Sequence, residues 1–370
     1  MATLNRLLFV LVLLCSVPLH AQKQFFIQPW VDTSAPNVQK AIAFYRSYAE
    51  AFKHDTLPSF HNYWRAKDID QYKIPDHMVY GIQGDYPTYS MSEQRNVIYV
   101  KPIGDTIHIK TQFGWDADGV FRLLCITNHY VGFRKDGSPY FISPLNMAAS
   151  AWRQTRMRNV VFHYPAYHTF DRQKAKSLMA NIRMLEADWQ LQPIAINYFF
   201  ANTIEEIEQL KGFDYTLVMG NTPKPSGISN DYNNTVFCNG LGEDYFHEVV
   251  HIYLNKLYPN SPLQEGLAHF YGGSMGKSLS YHKNKLIKYL IAHPEVRVDS
   301  MNDLPKPGNN TNQYSTIQAI LCDDAYDKGG FKGLQKIMQY ETVEAILKQE
   351  YGLQSFAAFI EKLKKQYSDK

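Results

Sequence analysis

Residues 242–255 read GEDYFHEVVHIYLN, and the stretch is either a metal site or an apolar helix with polar residues on one side. A helix advances about 100° per residue, so positions four apart lie nearly above one another. His247 and His251 therefore project from one face, one turn apart, and two imidazoles so placed can bind a single metal ion. Glu248 is rotated by one residue from His247 and can reach a water on that ion without being a ligand. Phe246, Val249, Val250, Ile252 and Leu254 supply the buried sides of the helix. Glu243 or Asp244 can cap its start, and Pro259 prevents its continuation.

Working outward, TVFCNGL (235–241) reads as a β-strand leading into this helix, and SPLQEGLAHFYGG (261–273) reads as a second helix after it. Ser261 can cap the second helix, Pro262 suits its first position, and Gly272-Gly273 can end it. Leu263, Leu267 and Phe270 form its core face, which leaves Glu265 free to point elsewhere. A third histidine in an extended H-E-x-x-H-x-x-G-x-x-H pattern is excluded, because Leu254 and Leu257 occupy the glycine and histidine positions.

The two motifs in this order, HEVVH followed by LQEGLA, resemble the gluzincin-type HExxH zinc metallopeptidases of the peptidase MA-like family. The resemblance covers about residues 158–368 and is specific at the two motifs. It implies a zincin-like domain, with a mixed sheet and the active-site helix above and a helical C-terminal subdomain below. It also implies Zn2+ held by His247, His251 and Glu265, with Glu248 as general base for hydrolysis of a peptide or protein substrate. The strand at 235–241 would offer main-chain hydrogen bonds to an extended peptide. An oxyanion donor is expected from the helical half; Tyr314 is the first choice, with Tyr281 and His282 as alternatives. One departure is His269, four residues after the third ligand, where relatives often carry an acid that orients a ligand histidine. The alternative reading keeps the zinc and the fold but makes the domain a catalytically inactive binding or scaffolding protein.

The remaining sequence frames that domain. MATLNRLLFVLVLLCSVPLHAQ at the N-terminus has the layout of a secretory signal peptide, with one early Arg6, an apolar stretch and a small residue at Ala21. Cleavage is expected after Ala21, and with it export to the periplasm, the cell surface or the medium. Residues 22–155 read as an α+β domain. Val38, Ala41, Ile42, Tyr45, Tyr48, Ala49 and Phe52 mark an amphipathic helix, a short helix follows at Phe60–Trp64, and two β-rich pairs run from Asn96 to Pro144. That order of elements resembles the NTF2-like cone fold. Residues 156–370 form the metallopeptidase-like domain.

A net charge of +3 over 370 residues gives no reason to expect nucleic acid as a partner. No segment after the leader approaches membrane-spanning length. Cys125, Cys238 and Cys322 lie outside the leader, and they allow either one disulfide, in any of three pairings, or three buried thiols.

Overall fold

Alternation of β-branched and aromatic residues with polar ones sets the strands, and helical spacing of apolar residues sets the helices that cover them. In the computed structural model, which describes residues 24–52, 56–80, 88–148, 151–220 and 224–368, these segments make a mixed α+β protein with two mixed sheets. The proposed leader, residues 1–21, lies outside the described residues. The chain divides into two units, and the division is not a single cut. The first unit takes residues up to 147 together with 211–220, and the second takes 148–210 and 221–370.

In the first unit, β1 (Gln24–Ile27) pairs in parallel with β2 (Gln94–Ile103). Strands β3 (Thr106–Ala117), β4 (Val120–Phe133) and β5 (Pro139–Ile142) then continue antiparallel from β2. β4 is long enough that its free side takes β5 at one end and β9 (Phe213–Thr216), from the returning segment, nearer its middle. Helix α1 (Pro36–Ala51) starts with proline in its first turn and lays Val38, Ala41, Ile42, Tyr45, Tyr48 and Ala49 on this sheet. Short helices α2 (Ala66–Tyr72) and α3 (Thr88–Met91) lie between β1 and β2 in the chain, and α4 (Pro144–Ala148) follows β5. The helix expected at Phe60–Trp64 is only a single 3-10 turn, Phe60–Asn62.

In the second unit the sheet order is β10 (Ser226–Asn230), β11 (Thr235–Asn239), β8 (Ile196–Ala201), β7 (Val160–Pro165), β6 (Trp152–Met157). The inner pairs are parallel and the two outer pairs antiparallel. Helix α5 (Arg172–Asp188) is capped by the Asp171 side chain, which accepts from the Gln173 and Lys174 backbones. Helix α6 (Ile204–Lys211) leads into the segment returned to the first unit. Six helices follow β11: α7 (His247–Leu254), α8 (Gln264–Gly272), α9 (Leu279–Ala292), α10 (Gln313–Ile337, broken at Gly330), α11 (Val343–Tyr351) and α12 (Phe356–Ser368). Their apolar faces join α5 and one face of the sheet in a single core that includes Val249, Val250, Leu267, Ile317 and Ile320.

Two start signals of the sequence are used differently. Helix α7 begins at His247, and Glu243 lies in a preceding 3-10 turn, where its buried carboxylate accepts from His168 Nε2 (2.8 Å) and the Asp171 backbone (2.7 Å). Glu243 thus ties the entry of α7 to the start of α5 instead of capping α7. Helix α8 begins at Gln264; the Ser261 hydroxyl accepts from the Leu263 backbone, before the helix starts, and donates to Met338 Sδ. All three cysteines outside the leader are free and buried. Among the described residues, no helix is long and apolar enough to cross a membrane.

Candidate metal centre

Every residue of α7 is buried. It is therefore not a surface helix with a polar side, and the imidazoles and carboxylate it carries must be satisfied inside the protein. Neighbouring elements hold the chain at both ends of the helix. Tyr198 on β8 donates to the Gly242 carbonyl just ahead of the helix (2.9 Å), and Tyr253 near its end donates to Glu186 of α5 (2.7 Å). Helix α8 crosses close by, because Gly272 leaves no side chain where a Cβ would stand 2.4 Å from the His247 backbone nitrogen.

That crossing brings Glu265 of α8 to the two histidines of α7. His247, His251 and Glu265 place one donor atom each within 4.8 Å of one another, a group that can hold a metal ion. The two Nε2 atoms are 3.2 Å apart. Glu265 Oε1 is 3.3 Å from His251 Nε2, and Oε2 is 3.5 Å from His247 Nε2. A tetrahedral ion with N and O bonds of about 2.0–2.1 Å sets its ligands about 3.3–3.4 Å apart, so the donor set fits such an ion. The histidines are buried, whereas 61 % of the Glu265 side chain is exposed, so the group opens on the Glu265 side.

Each histidine presents Nε2 because its other nitrogen is engaged. His247 Nδ1 donates to the Gly273 carbonyl (2.7 Å), and His251 Nδ1 donates to Asn255 Oδ1 (3.1 Å). Both acceptors fix the proton on Nδ1 and leave the Nε2 lone pair facing the centre. Sequence reasoning missed both. Asn255 stands one helical turn beyond His251, a spacing visible in the sequence, while Gly273 reads only as a helix terminator. His247 is thus oriented by a main-chain carbonyl and not by a side chain at position 269. His269 itself is buried, edge-on to the His282 ring at 4.8 Å, and its pKa falls to about 3 through burial and the neighbouring His282.

Charge is shared among the donors. Burial disfavours an imidazolium at His247, but the hydrogen bond to Glu265, the Glu248 and Glu265 charges and the Gly273 carbonyl outweigh it, and its pKa is raised. Burial would likewise raise the Glu265 carboxyl, yet the His247 and His251 contacts lower it. Glu248 lies outside the donor set. Its pKa is raised by burial, against the pull of both histidines and a hydrogen bond from Ser229.

Ser229 belongs to β10, and this corrects the expected strand. β11 is paired on both sides, so residues 235–239 have no free main-chain edge, and the edge of the sheet is β10. SGISN is short and polar and has no strand signature of its own. It runs beside the centre because Gly227 has no side chain there: a Cβ would meet Glu248 Cγ at 2.7 Å and Tyr245 Cε1 at 2.6 Å.

The three oxyanion candidates separate. Tyr314 stands on the first turn of α10, 38 % exposed, with its backbone N–H bonded to Asn312. Tyr281 is also partly exposed. His282 is fully buried with both nitrogens engaged, by Thr311 and by the Ser274 carbonyl, and has no donor to offer a substrate. No protein-family model matches this chain and no curated protein matches it significantly, so the residues of the centre and their geometry carry the functional reading by themselves.

Proposed function

We propose that this chain is an exported, zinc-dependent metallopeptidase of the gluzincin type, with His247, His251 and Glu265 as zinc ligands and Glu248 as general base. The observation that supports it most is the set of 3.2, 3.3 and 3.5 Å separations among three donors, which match the edges of a tetrahedral site. Zinc in such a site supplies Lewis acidity and brings the pKa of a water to about 7.

The chain's own residues supply the rest. Glu248, adjacent to a ligand but outside the donor set, takes a proton at its carboxylate during attack and returns it to the leaving amine. Burial raises its pKa above the ordinary carboxylate value, which makes it a stronger proton acceptor than an exposed glutamate. The Ser229 hydroxyl holds the carboxylate from the side of the edge strand. β10, which among the described residues pairs with a strand on one side only, offers N–H and C=O groups to an extended peptide, and the exposed flank of Glu265 is where a scissile bond would enter. Tyr314 is the hydroxyl assigned to the oxyanion.

The test is a pair of measurements on the mature protein, whose chain is expected to begin at Gln22. Metal analysis should find about one zinc per chain, and a mixed peptide library should be cleaved. Glu248→Gln should keep the zinc and lose cleavage, while Tyr314→Phe should lower kcat by about 10²- to 10³-fold. Full activity in Glu248→Gln would overturn the mechanism. Bound zinc with no cleavage by the wild type would leave the binding or scaffolding alternative.

A further inference from the structure

Between α8 and α9 the chain makes a tight turn, Gly273–Lys277, closed on itself by two hydrogen bonds. The Ser274 N–H donates to the Lys277 carbonyl and the Lys277 N–H to the Ser274 carbonyl, both at 2.9 Å. Gly273 has φ 68° and ψ −161°, a region open essentially to glycine. A Cβ there would also lie 2.1 Å from the Lys277 oxygen. This backbone conformation aims the Gly273 carbonyl at His247 Nδ1. Because a carbonyl only accepts, the contact selects the Nδ1–H tautomer. The other tautomer would point an N–H at His251 Nε2, 3.2 Å away, and close the centre to a cation.

The turn is in turn gripped from behind by a residue remote from the donor set. His282 of α9 donates from Nε2 to the Ser274 carbonyl (2.9 Å), and its Nδ1 faces the Thr311 hydroxyl at 3.0 Å. The same logic sets its tautomer: Nε2 carries the proton and Nδ1 accepts from Thr311. The Ser274 oxygen thus receives two donors, the Lys277 N–H and the His282 imidazole. Its peptide is immobilised one residue from the carbonyl that orients His247. The Tyr245 ring lies parallel to His247, with centroids 5.7 Å apart and planes within 8°.

We propose that the Gly273–Lys277 turn, locked by His282, is the device that sets the His247 tautomer and thereby the metal affinity of the centre, with His282 acting as a positioning residue through Ser274. The inference rests on the metal-site reading above. It adds a function for the histidine that has no free nitrogen for substrate.

The test compares His282→Leu, which removes both contacts, with His282→Gln, whose side-chain amide can reach the place of the Nε2–H donor. Gly273→Ala addresses the turn directly. Zn2+ affinity is measured on metal-stripped full-length protein by competition with a chromophoric chelator, and folding is checked by circular dichroism and thermal melting. His282→Leu and Gly273→Ala should each weaken Zn2+ binding 10- to 100-fold, and His282→Gln should recover most of the loss. Imidazole 15N shifts of the metal-free wild type, read at alkaline pH where His247 is neutral, should show His247 as the Nδ1–H tautomer, and those of His282→Leu a mixture. Wild-type affinity in folded His282→Leu, or a glutamine variant as weak as leucine, overturns the proposal. Should His282→Leu not fold, Gly273→Ala and His282→Gln decide. Should the wild type bind no zinc, the metal reading fails, and the His247 tautomer still judges the turn: an Nε2–H imidazole would sink it.

Discussion

At the residue scale, the centre depends on two acceptors that are not themselves donors to an ion. Asn255 holds His251 as Gly273 holds His247, but through a side chain that can be exchanged without disturbing the backbone. Asn255→Leu should therefore weaken Zn2+ affinity about 10- to 100-fold while the melting temperature of the metal-free protein changes little, as chelator competition and calorimetry would read. An unchanged affinity would mean that burial alone orients His251. The donors themselves, His247, His251 and Glu265, were legible because their chemistry is local: a one-turn spacing and a short following motif. The residues that orient and crowd them were not. Gly227 is a glycine because Glu248 and Tyr245 occupy the space of its Cβ, and nothing in its neighbours along the chain says so.

At the element scale, α8 positions Glu265 by being thin on two sides. Gly272 lets it approach α7, and Gly266 lets it approach α10, where a Cβ would stand 2.4 Å from Gln318 Cβ and 2.5 Å from the Gln318 backbone carbon. The neighbour of Glu265 is thus a glycine for packing reasons, and the pair Glu-Gly is one structural unit. Gly266→Ala must push α8 and α10 apart, with an expected cost of about 1–3 kcal/mol. It should also weaken Zn2+ binding, since Glu265 moves with its helix. Thermal melting in chelator and zinc titration check the two parts separately, and an unaffected Zn2+ affinity would show that α8 relaxes without moving Glu265. Helix spans followed closely from apolar periodicity, whereas their first residues did not. Glu243 and Ser261 have the chemistry of caps, and tertiary partners claimed the first and shortened the role of the second.

At the scale of the whole molecule, each unit has its own core, and the first holds a buried polar network with a pH signature. Asp76 accepts from the Tyr48 hydroxyl (2.8 Å), the Tyr89 hydroxyl (3.0 Å) and the Met78 backbone (2.9 Å), and Tyr89 meets His129 Nε2 at 2.7 Å. Burial raises Asp76 from 3.8 to about 6, and lowers His129 and His77 from 6.5 to about 3. The signs oppose. Asp76 contributes stability that is complete below pH 3.8 and is lost as pH rises through about 6. The two histidines contribute stability that is complete above pH 6.5 and is lost as pH falls toward 3. Between pH 6.5 and 4 each histidine loses about 3 kcal/mol and Asp76 regains about 2, so the first unit should weaken on acidification by a few kcal/mol. Urea unfolding from pH 7 to 4 measures this, and His129→Gln should flatten the decline. A stability that instead climbed toward pH 4 would show Asp76 dominating.

The sequence by itself determined the grouping of His247, His251 and Glu265, the helices that carry them and the mixed α+β class, because each is written in residue type and in spacing over one or two turns. Which strand forms the sheet edge was decided only by the tertiary structure, since pairing on both sides of β11 depends on a short polar segment, β10. The return of residues 211–220 to the first unit was likewise decided there, because β9 has four residues and takes its stability from the vacant side of β4. So was the orientation of the two histidines. Asn255, Gly273 and His282 act through hydrogen bonds and close backbone approach, which arise only when distant segments are packed against one another.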